Sequence, residues 1–353
     1  MDMGVLIPTA ANSWEVAVRA EELGYTHAWF FDTALLNAEM FAAMGAAAVK
    51  TSKIKLCTGV MVPSNRIAPV AASGLATLNA LAPGRIVFGV STGFSARRAM
   101  GLEPVTLARL SKYIEDVQTL LAGEMIELEI EGGVHKTRFL NPEPELINIK
   151  DPIPLALSAF GPKGRALVAK YGAHWIGLPT TPEREQAEMA EIRSRWAEAG
   201  REPGDLYTIA NVGGCVLDDG ESPDSPRAMA QAGPFAAVMF HDTVEREEFG
   251  SVLPGEFPFP AELEAYRKVY QSYEPADARY LSNHRQHLMR IRPEEKHITG
   301  NIIKGFTLTG TKAELVERLK GLKECGFNQI QFIIVPGQEN EMMERWAEVI
   351  AQV

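Results

Sequence analysis

The stretch Gly84-Arg85-Ile86-Val87-Phe88-Gly89-Val90-Ser91-Thr92-Gly93 reads as a buried β-strand ending in small and hydroxylated residues. Its core, Arg85 to Val90, is short, β-branched and aromatic, and glycines stand on either side of it. Upstream lies a helical stretch near Pro69 to Leu81, and before that a strand-like run from Ile54 to Val62. Downstream, Val105 to Leu121 has helical periodicity. The same alternation reaches back to the amino terminus: Val5-Leu6-Ile7, a helix from Ser13 to Leu23 closed by Gly24, a strand from His27 to Asp32, and a helix near Ala38 to Val49. Ser13 is placed to cap its helix, with Glu15 in the first turn.

Four strand-helix units within about 120 residues predict parallel strands at the pace of a (β/α)8 barrel, and no nucleotide-binding glycine fingerprint supports an open sheet. Met125 to Phe139 alternates polar and apolar residues around Gly132-Gly133, which predicts an inserted hairpin at about 124–140. Strands resume at Ile153 to Ser158, His174 to Leu178 and Tyr207 to Val216, with helices at Pro162 to Tyr171 and Pro182 to Ala199. From Ser222 to Lys304 the periodicity breaks and Pro and aromatic residues accumulate, so a mostly helical insertion is expected. The chain closes with a helix from Thr311 to Cys325, a strand from Gln329 to Val335 and a helix from Glu339 to Val353. Thr311 and Glu314 have capping-box spacing. One barrel domain over 1–353 is expected.

Composition narrows the function. The 353 residues are 46% hydrophobic and 23% charged with a formal net charge of -10, which suits a soluble globular protein and argues against nucleic acid, whose phosphates need clustered Lys and Arg. Cys57, Cys215 and Cys325 lie far apart in apolar surroundings, so they are expected to be reduced, as in the cytoplasm. The amino terminus carries no recognisable leader, and no run of about 18 apolar residues would cross a membrane.

In such a barrel the reactive groups stand at the carboxyl ends of the strands. Those ends are Pro8-Thr9, Asp32-Thr33, Thr58-Gly59-Val60, Ser91-Thr92-Gly93, Ser158-Ala159-Phe160-Gly161, Gly177-Leu178 and Pro336-Gly337. Small residues there let backbone approach a flat ring and phosphate oxygens.

Phe31-Asp32, Thr58-Gly59-Val60 and residues 84–93 together resemble the bacterial luciferase-like flavin-dependent oxidoreductases. So do Ile153 to Lys163, Tyr171-Gly172-Ala173-His174-Trp175, and the final helix-strand-helix from Phe306-Thr307-Leu308-Thr309-Gly310-Thr311 onward. The likeness covers the barrel apart from the Ser222 to Lys304 insertion. It implies a ring system across the barrel mouth, resting on a third-strand bulge that contains a non-proline cis peptide, here at Gly59-Val60. An ordinary strand bulge would also account for Thr58-Gly59. Ser91, Thr92 and Gly93, the run Ser158, Ala159, Phe160, Gly161 and Lys163, and Gly177-Leu178 would then contact the cofactor, with backbone amides and the Lys163 cation on its phosphate. Arg97, and Arg98 beside it, would add charge, although exposed arginines are commonly just solvated.

Asp32 is expected to face the mouth as an acid or orienting group, though an Asp here also caps loops. Related enzymes often carry a His after this acid, and here Thr33 replaces it. His241 and His284 lie where a substrate lid is expected and are candidate catalytic groups, with His287 one turn beyond. Without a companion carboxylate or Cys they complete no metal site, and a surface helix would explain their spacing. His27 and His174 head internal strands and read as structural. The aromatic residues from Phe235 to Tyr273 would pack the insertion onto the barrel or line an apolar pocket.

The resemblance implies two cofactor chemistries. With FMN, a monooxygenase would use reduced flavin and oxygen on an apolar or carbonyl-containing small molecule, with a separate flavin reductase as a partner. With coenzyme F420, hydride would pass directly to or from the substrate. The missing His inclines the reading to FMN. A cofactor-free, non-catalytic barrel subunit and a metal-dependent hydrolase are the alternatives from other classes. The likeness also implies a homodimer through helices beside the second and third strands, where the Ala-rich Ala42 to Val49 permits close packing.

Overall fold

The computed structural model describes residues 1–250 and 256–353. Eight parallel strands close into a barrel. The first four are β1 (Asp2–Ile7), β2 (His27–Phe30), β3 (Lys55–Thr58) and β4 (Ile86–Val90), alternating with α1 (Ser13–Glu22), α2 (Met40–Lys50) and α3 (Ala68–Leu81). After β4 come a short helix α4 (Phe94–Arg98), then α5 (Leu107–Leu121) and an antiparallel hairpin of β5 (Ile126–Ile130) and β6 (Gly133–Thr137). The barrel continues with β7 (Leu155–Ser158), α6 (Pro162–Tyr171), β8 (His174–Gly177), α7 (Pro182–Glu198) and β9 (Thr208–Val212). β10 (Gly214–Leu217) follows, then five helices: α8 (Pro226–Gln231), α9 (Gly233–Glu248), α10 (Pro260–Gln271), α11 (Tyr280–Asn283) and α12 (Gly300–Phe306). Last are β11 (Leu308–Thr311), α13 (Lys312–Cys325), β12 (Gln329–Ile333) and α14 (Glu339–Ile350). The circuit runs β1, β2, β3, β4, β7, β8, β9, β12 and back to β1.

Local chemistry explains the boundaries. Thr106 and Thr181 accept the amides of Arg109 and Arg184 and so open α5 and α7, while Thr311 and Glu314 form a reciprocal capping box on α13. α5 buries Leu110, Tyr113, Ile114, Val117 and Leu120, one stripe at helical spacing against the sheet. The strands are buried on both faces, as in a parallel sheet sheathed in helices.

Each of the eight strands contributes a residue to one apolar cluster inside the barrel: Leu6, Trp29, Cys57, Val87, Ala156, Ile176, Ile209 and Ile333. This cluster continues upward into Phe31, then Phe235 and Val238 of α9, and Leu288 after α11. The barrel is therefore a packed core whose mouth is partly covered by the helical segment, each buried aliphatic side chain contributing roughly 1.5–3 kcal/mol.

Two strand expectations need correction. The third strand, read as Ile54 to Val62, pairs regularly only to Thr58, and Met61 makes a separate bridge to Val90. Tyr207 to Val216 is two strands, β9 in the barrel and β10 outside it in parallel with β11. The break falls at Gly213, whose carbonyl accepts the Leu308 amide at 2.9 Å and where a Cβ would lie 2.5 Å from the Phe235 ring. The tertiary partner, not the local pattern, ends the strand.

Candidate active site at the barrel mouth

Bonds on both sides hold the end of β3 out of regular pairing. Gly59 donates to the Phe30 carbonyl at 2.7 Å and Met61 to the Gly89 carbonyl at 2.8 Å, while Thr58 Oγ1 donates to the same Gly89 oxygen at 2.6 Å. Between them the Gly59–Val60 peptide is cis. A Cβ on Gly89 would lie 2.1 Å from the Thr58 carbonyl oxygen, so this approach requires glycine. Gly59 and Val60 remain half-exposed at the end of a strand otherwise buried from Leu56 to Thr58.

The next two strand ends are cross-linked. Ser91 Oγ donates to the Ser158 carbonyl at 2.9 Å, and Trp175 Nε1 donates to the Ala159 carbonyl at 2.8 Å. Gly93 lies in the left-handed region at φ 82°, and Thr92 accepts the Val105 amide at 2.9 Å. The buried Arg165 guanidinium holds the turn after β7 from behind, donating to the Phe160 carbonyl at 2.8 Å while pairing with Glu191 at 2.5 Å. Ser91, Thr92 and Ser158 are half-buried, whereas Phe160, Gly161 and Lys163 are exposed. Lys163 lies in the first turn of α6, whose cap Gly161 supplies no side chain.

Asp32 occupies a different position from the expected one. Its carboxylate is buried, with Oδ2 accepting the Val62 amide at 2.9 Å and Oδ1 paired with Arg66 at 2.7 Å. The side chain braces the segment after the β3 bulge instead of standing open at the mouth. The arginine pair also divides. Arg97 Nε donates to the Glu103 carbonyl at 2.5 Å, while Arg98 turns inward to Glu245 at 3.4 Å and is buried.

A cavity of 870 Å³ adjoins the ends of β8 and β9, between the barrel and the helical segment. Leu178 is the one expected site residue on its wall; Gly177 is buried, and a Cβ there would meet the Trp175 ring at 2.9 Å. Asn211 of β9 lines it together with Phe235, Met239 and Asp242 of α9. Phe235, Val238, Met239, Asp242 and Arg246 share one face of α9 by their spacing. Asp242 accepts Arg246 Nε at 2.7 Å, and the Arg246 guanidinium lies 5.6 Å from the centre of the Phe94 ring. α9 thus joins the cavity to the loop after β4. Burial pushes the Asp242 carboxyl up from its ordinary range against the pull of Arg246. Asn211 Oδ1 is buried without a hydrogen-bond partner among the described residues.

His241 and His284 are neither on a surface helix nor on the cavity wall. Both are buried, His241 donating to Glu295 at 2.5 Å and His284 to Glu245 at 2.9 Å. Burial holds His241 and, more strongly, His287 below the usual imidazole range. Glu295 is pulled down to about 2: burial opposes this, and the bonds from His241 and Arg292 outweigh it. Among the described residues, no group of three or more His, Cys, Asp or Glu is arranged to hold a metal ion, and no helix is long and apolar enough to cross a membrane.

Glu245, Arg165 and Asp242 escaped the sequence reading. Charged residues at irregular spacing carry no local mark of burial. For Asp242 a signal existed, the apolar stripe of α9 interrupted by one acid.

A model of the family described as luciferase-like monooxygenase matches residues 2–329. The 5,10-methylenetetrahydromethanopterin reductase of Methanolobus tindarius is 27% identical over 198 residues, 54% of this chain and 57% of that protein. The F420-dependent glucose-6-phosphate dehydrogenase of Beutenbergia cavernae is 35% identical over 231 residues, 60% of this chain and 65% of that protein. The chain thus spans 57% and 65% of the length of these two curated relatives. Among solved structures, the coenzyme F420-dependent tetrahydromethanopterin reductase of Methanopyrus kandleri superposes with a TM-score of 0.72 at 18% identity, covering 98% of this chain and 97% of that one.

Proposed function

The chain belongs to the luciferase-like monooxygenase family and is an oxidoreductase, and from that premise we propose that it transfers hydride between coenzyme F420 and a polar small molecule carrying a carbinol or carbonyl carbon. The charged groups set into the otherwise largely apolar wall of the 870 Å³ cavity support this reading: Asp242, Arg184, Arg267 and Arg318 line it beside Leu178, Phe235 and Met239. A flavin that must react with oxygen works best in a dry, apolar mouth, whereas charged side chains keep a chamber hydrated and receive polar solutes. The likeness to an F420-dependent dehydrogenase adds support, and this reading replaces FMN with F420 as the first choice.

The residues present fit a phosphorylated tricyclic ring. A Cβ at Gly59 would lie 2.8 Å from Leu6 Cδ1 and one at Gly93 2.4 Å from Val62 Cγ1, so packing within the chain requires glycine at both strand ends, while exposed Gly161, where a Cβ would meet nothing within 4 Å, leaves its backbone open to approach. Thr58, Gly59 and Val60 would floor the ring. Ser91, Thr92, Gly93, Arg97 and the turn from Ala159 to Lys163 would hold its phosphate through amides and cationic side chains. When bound, the deazaflavin supplies a two-electron acceptor or donor of hydride. Asp242 would take the hydroxyl proton of an alcohol whose carbinol hydrogen leaves as hydride to the bound cofactor, leaving a carbonyl, and in the reverse direction would return that proton.

The test is titration of purified protein with coenzyme F420 and with FMN, followed by absorbance and fluorescence. Micromolar binding of F420 and not FMN is expected. The opposite preference returns the FMN monooxygenase, with its need for a flavin reductase, and binding of neither points to a non-catalytic barrel. We further propose a homodimer through α2 and α3, where Val49 and Val70 are 63% and 51% exposed; a monomeric mass by light scattering would remove it. Cys57, Cys215 and Cys325 are unpaired, which suits the cytoplasm we propose as its compartment.

A further inference from the structure

The Ser91–Gly93 loop runs directly into α4, a single turn with little hold of its own. Its anchorage comes from the helical segment on the far side of the mouth. Ser95 Oγ is hydrogen-bonded to His287 Nε2 at 2.9 Å. Three residues on, Arg98 meets Glu245 at 3.4 Å, with both side chains almost wholly buried. The Arg98 guanidinium is sandwiched 5.0 Å from the ring centres of Phe94 and Phe249. Glu245 is itself fixed by Asn283 Nδ2 at 2.7 Å and His284 Nε2 at 2.9 Å. Behind these lie Glu295 and Arg292, paired at 2.5 Å. Two carboxylates thus face two guanidiniums, so the formal charges of these four side chains balance. No barrel strand supplies any of these contacts to Ser95 or Arg98.

We propose that His287 and Glu245 are positioning residues for cofactor binding: through Ser95 and Arg98 they dock α4 onto the helical segment and thereby fix the Ser91–Gly93 loop. The inference rests on the reading of that loop as the cofactor's phosphate site. It makes α9 and the stretch from Asn283 to Glu295 part of the cofactor site, while α9 also lines the substrate cavity. A loop held in this way needs less ordering when the cofactor binds, which lowers the cost of binding.

The experiment measures the dissociation constants of F420 and FMN for wild type, Ser95→Ala, His287→Leu, His287→Gln and the Ser95→Ala/His287→Leu double variant, with urea unfolding of each. Ser95→Ala and His287→Leu should each weaken the preferred cofactor by about tenfold. The double variant should be no weaker than the stronger single effect, because both changes remove one bond. His287→Gln, which keeps a polar nitrogen near the Nε2 position, should restore most of the affinity. A role confined to folding would instead move the unfolding midpoint and leave affinity unchanged. Should His287→Leu fail to fold, Ser95→Ala reads the same bond from the loop side. Wild-type affinity in Ser95→Ala and His287→Leu, or additive losses in the double variant, overturns the inference alone. Wild-type protein that binds neither cofactor removes the phosphate-site reading and the inference with it.

Discussion

The Asp32 carboxylate accepts the Val62 amide at 2.9 Å and so ties the end of β2 to the chain just beyond Val60. Arg66 holds the other carboxylate oxygen at 2.7 Å. Asp32→Ala leaves a buried amide and a mostly buried guanidinium without this partner, and should destabilise the protein by about 3 kcal/mol. Asp32→Asn retains an acceptor and should cost less. Urea unfolding checks both, and an Asp32→Ala protein of wild-type stability would contradict the bracing role.

Gly93 and Gly161 separate backbone constraint from ligand contact. At Gly93, φ is 82° and a Cβ would overlap Val62, so Gly93→Ala should lose about 1–3 kcal/mol of stability together with cofactor affinity. At Gly161 the backbone is extended and a Cβ would meet nothing within 4 Å. Gly161→Ala should fold normally, and any affinity it loses in the same titration reports contact with the bound cofactor.

Acid should weaken the fold in two stages. Burial lowers His27, His174 and His297 from 6.5 to about 4. Between those values the unfolded chain binds more protons than the folded one, so stability falls as pH drops below 6.5, at up to about 1.4 kcal/mol per pH unit for each histidine. His241 and His287, lowered by burial, act in the same direction. Below 4.5, Glu295, held at about 2 despite its burial, adds a further loss as it protonates. Melting temperatures should therefore be insensitive to these groups above pH 7 and decline steadily below 6.5; a flat profile down to pH 5 would contradict the buried neutral histidines.

Asp242→Asn keeps an acceptor for Arg246 but removes the exchangeable proton. For alcohol oxidation the rate constant kcat should fall by about 100-fold or more while cofactor affinity is retained. Because burial raises this carboxyl, wild-type alcohol oxidation should decline as pH falls through its pKa, and carbonyl reduction as pH rises through it. The Asn variant should lack both limbs. A pH profile unchanged by the substitution would exclude Asp242 from proton transfer.

Much of the barrel could be read from neighbouring residues alone. The apolar run of residues 85–90, the helix between Thr106 and Gly123, and the Thr311/Glu314 cap are local patterns, because backbone hydrogen bonding and amphipathic burial act over one or two turns. The glycines at 59, 89 and 93 stand out in the sequence as small residues, but what a Cβ there would strike, Leu6, Thr58 and Val62, is brought in by other strands and loops. Asp32 was correctly placed at a strand end, but its environment was not, since its partners Val62 and Arg66 arrive from the following unit.

The helical segment marks the limit of that reading. His284 and His287 have the spacing of a surface helix and His241 lies where a substrate lid was expected, yet Glu245, Ser95 and Glu295 make all three buried hydrogen-bonding groups. Ser95 and His287 are 192 positions apart, and the packing of α9 across the mouth assembles the wall of the cavity. Periodicity along a chain records which face of an element is apolar. It carries no record of which distant charge will neutralise a buried one, and that pairing arises only when the chain closes on itself.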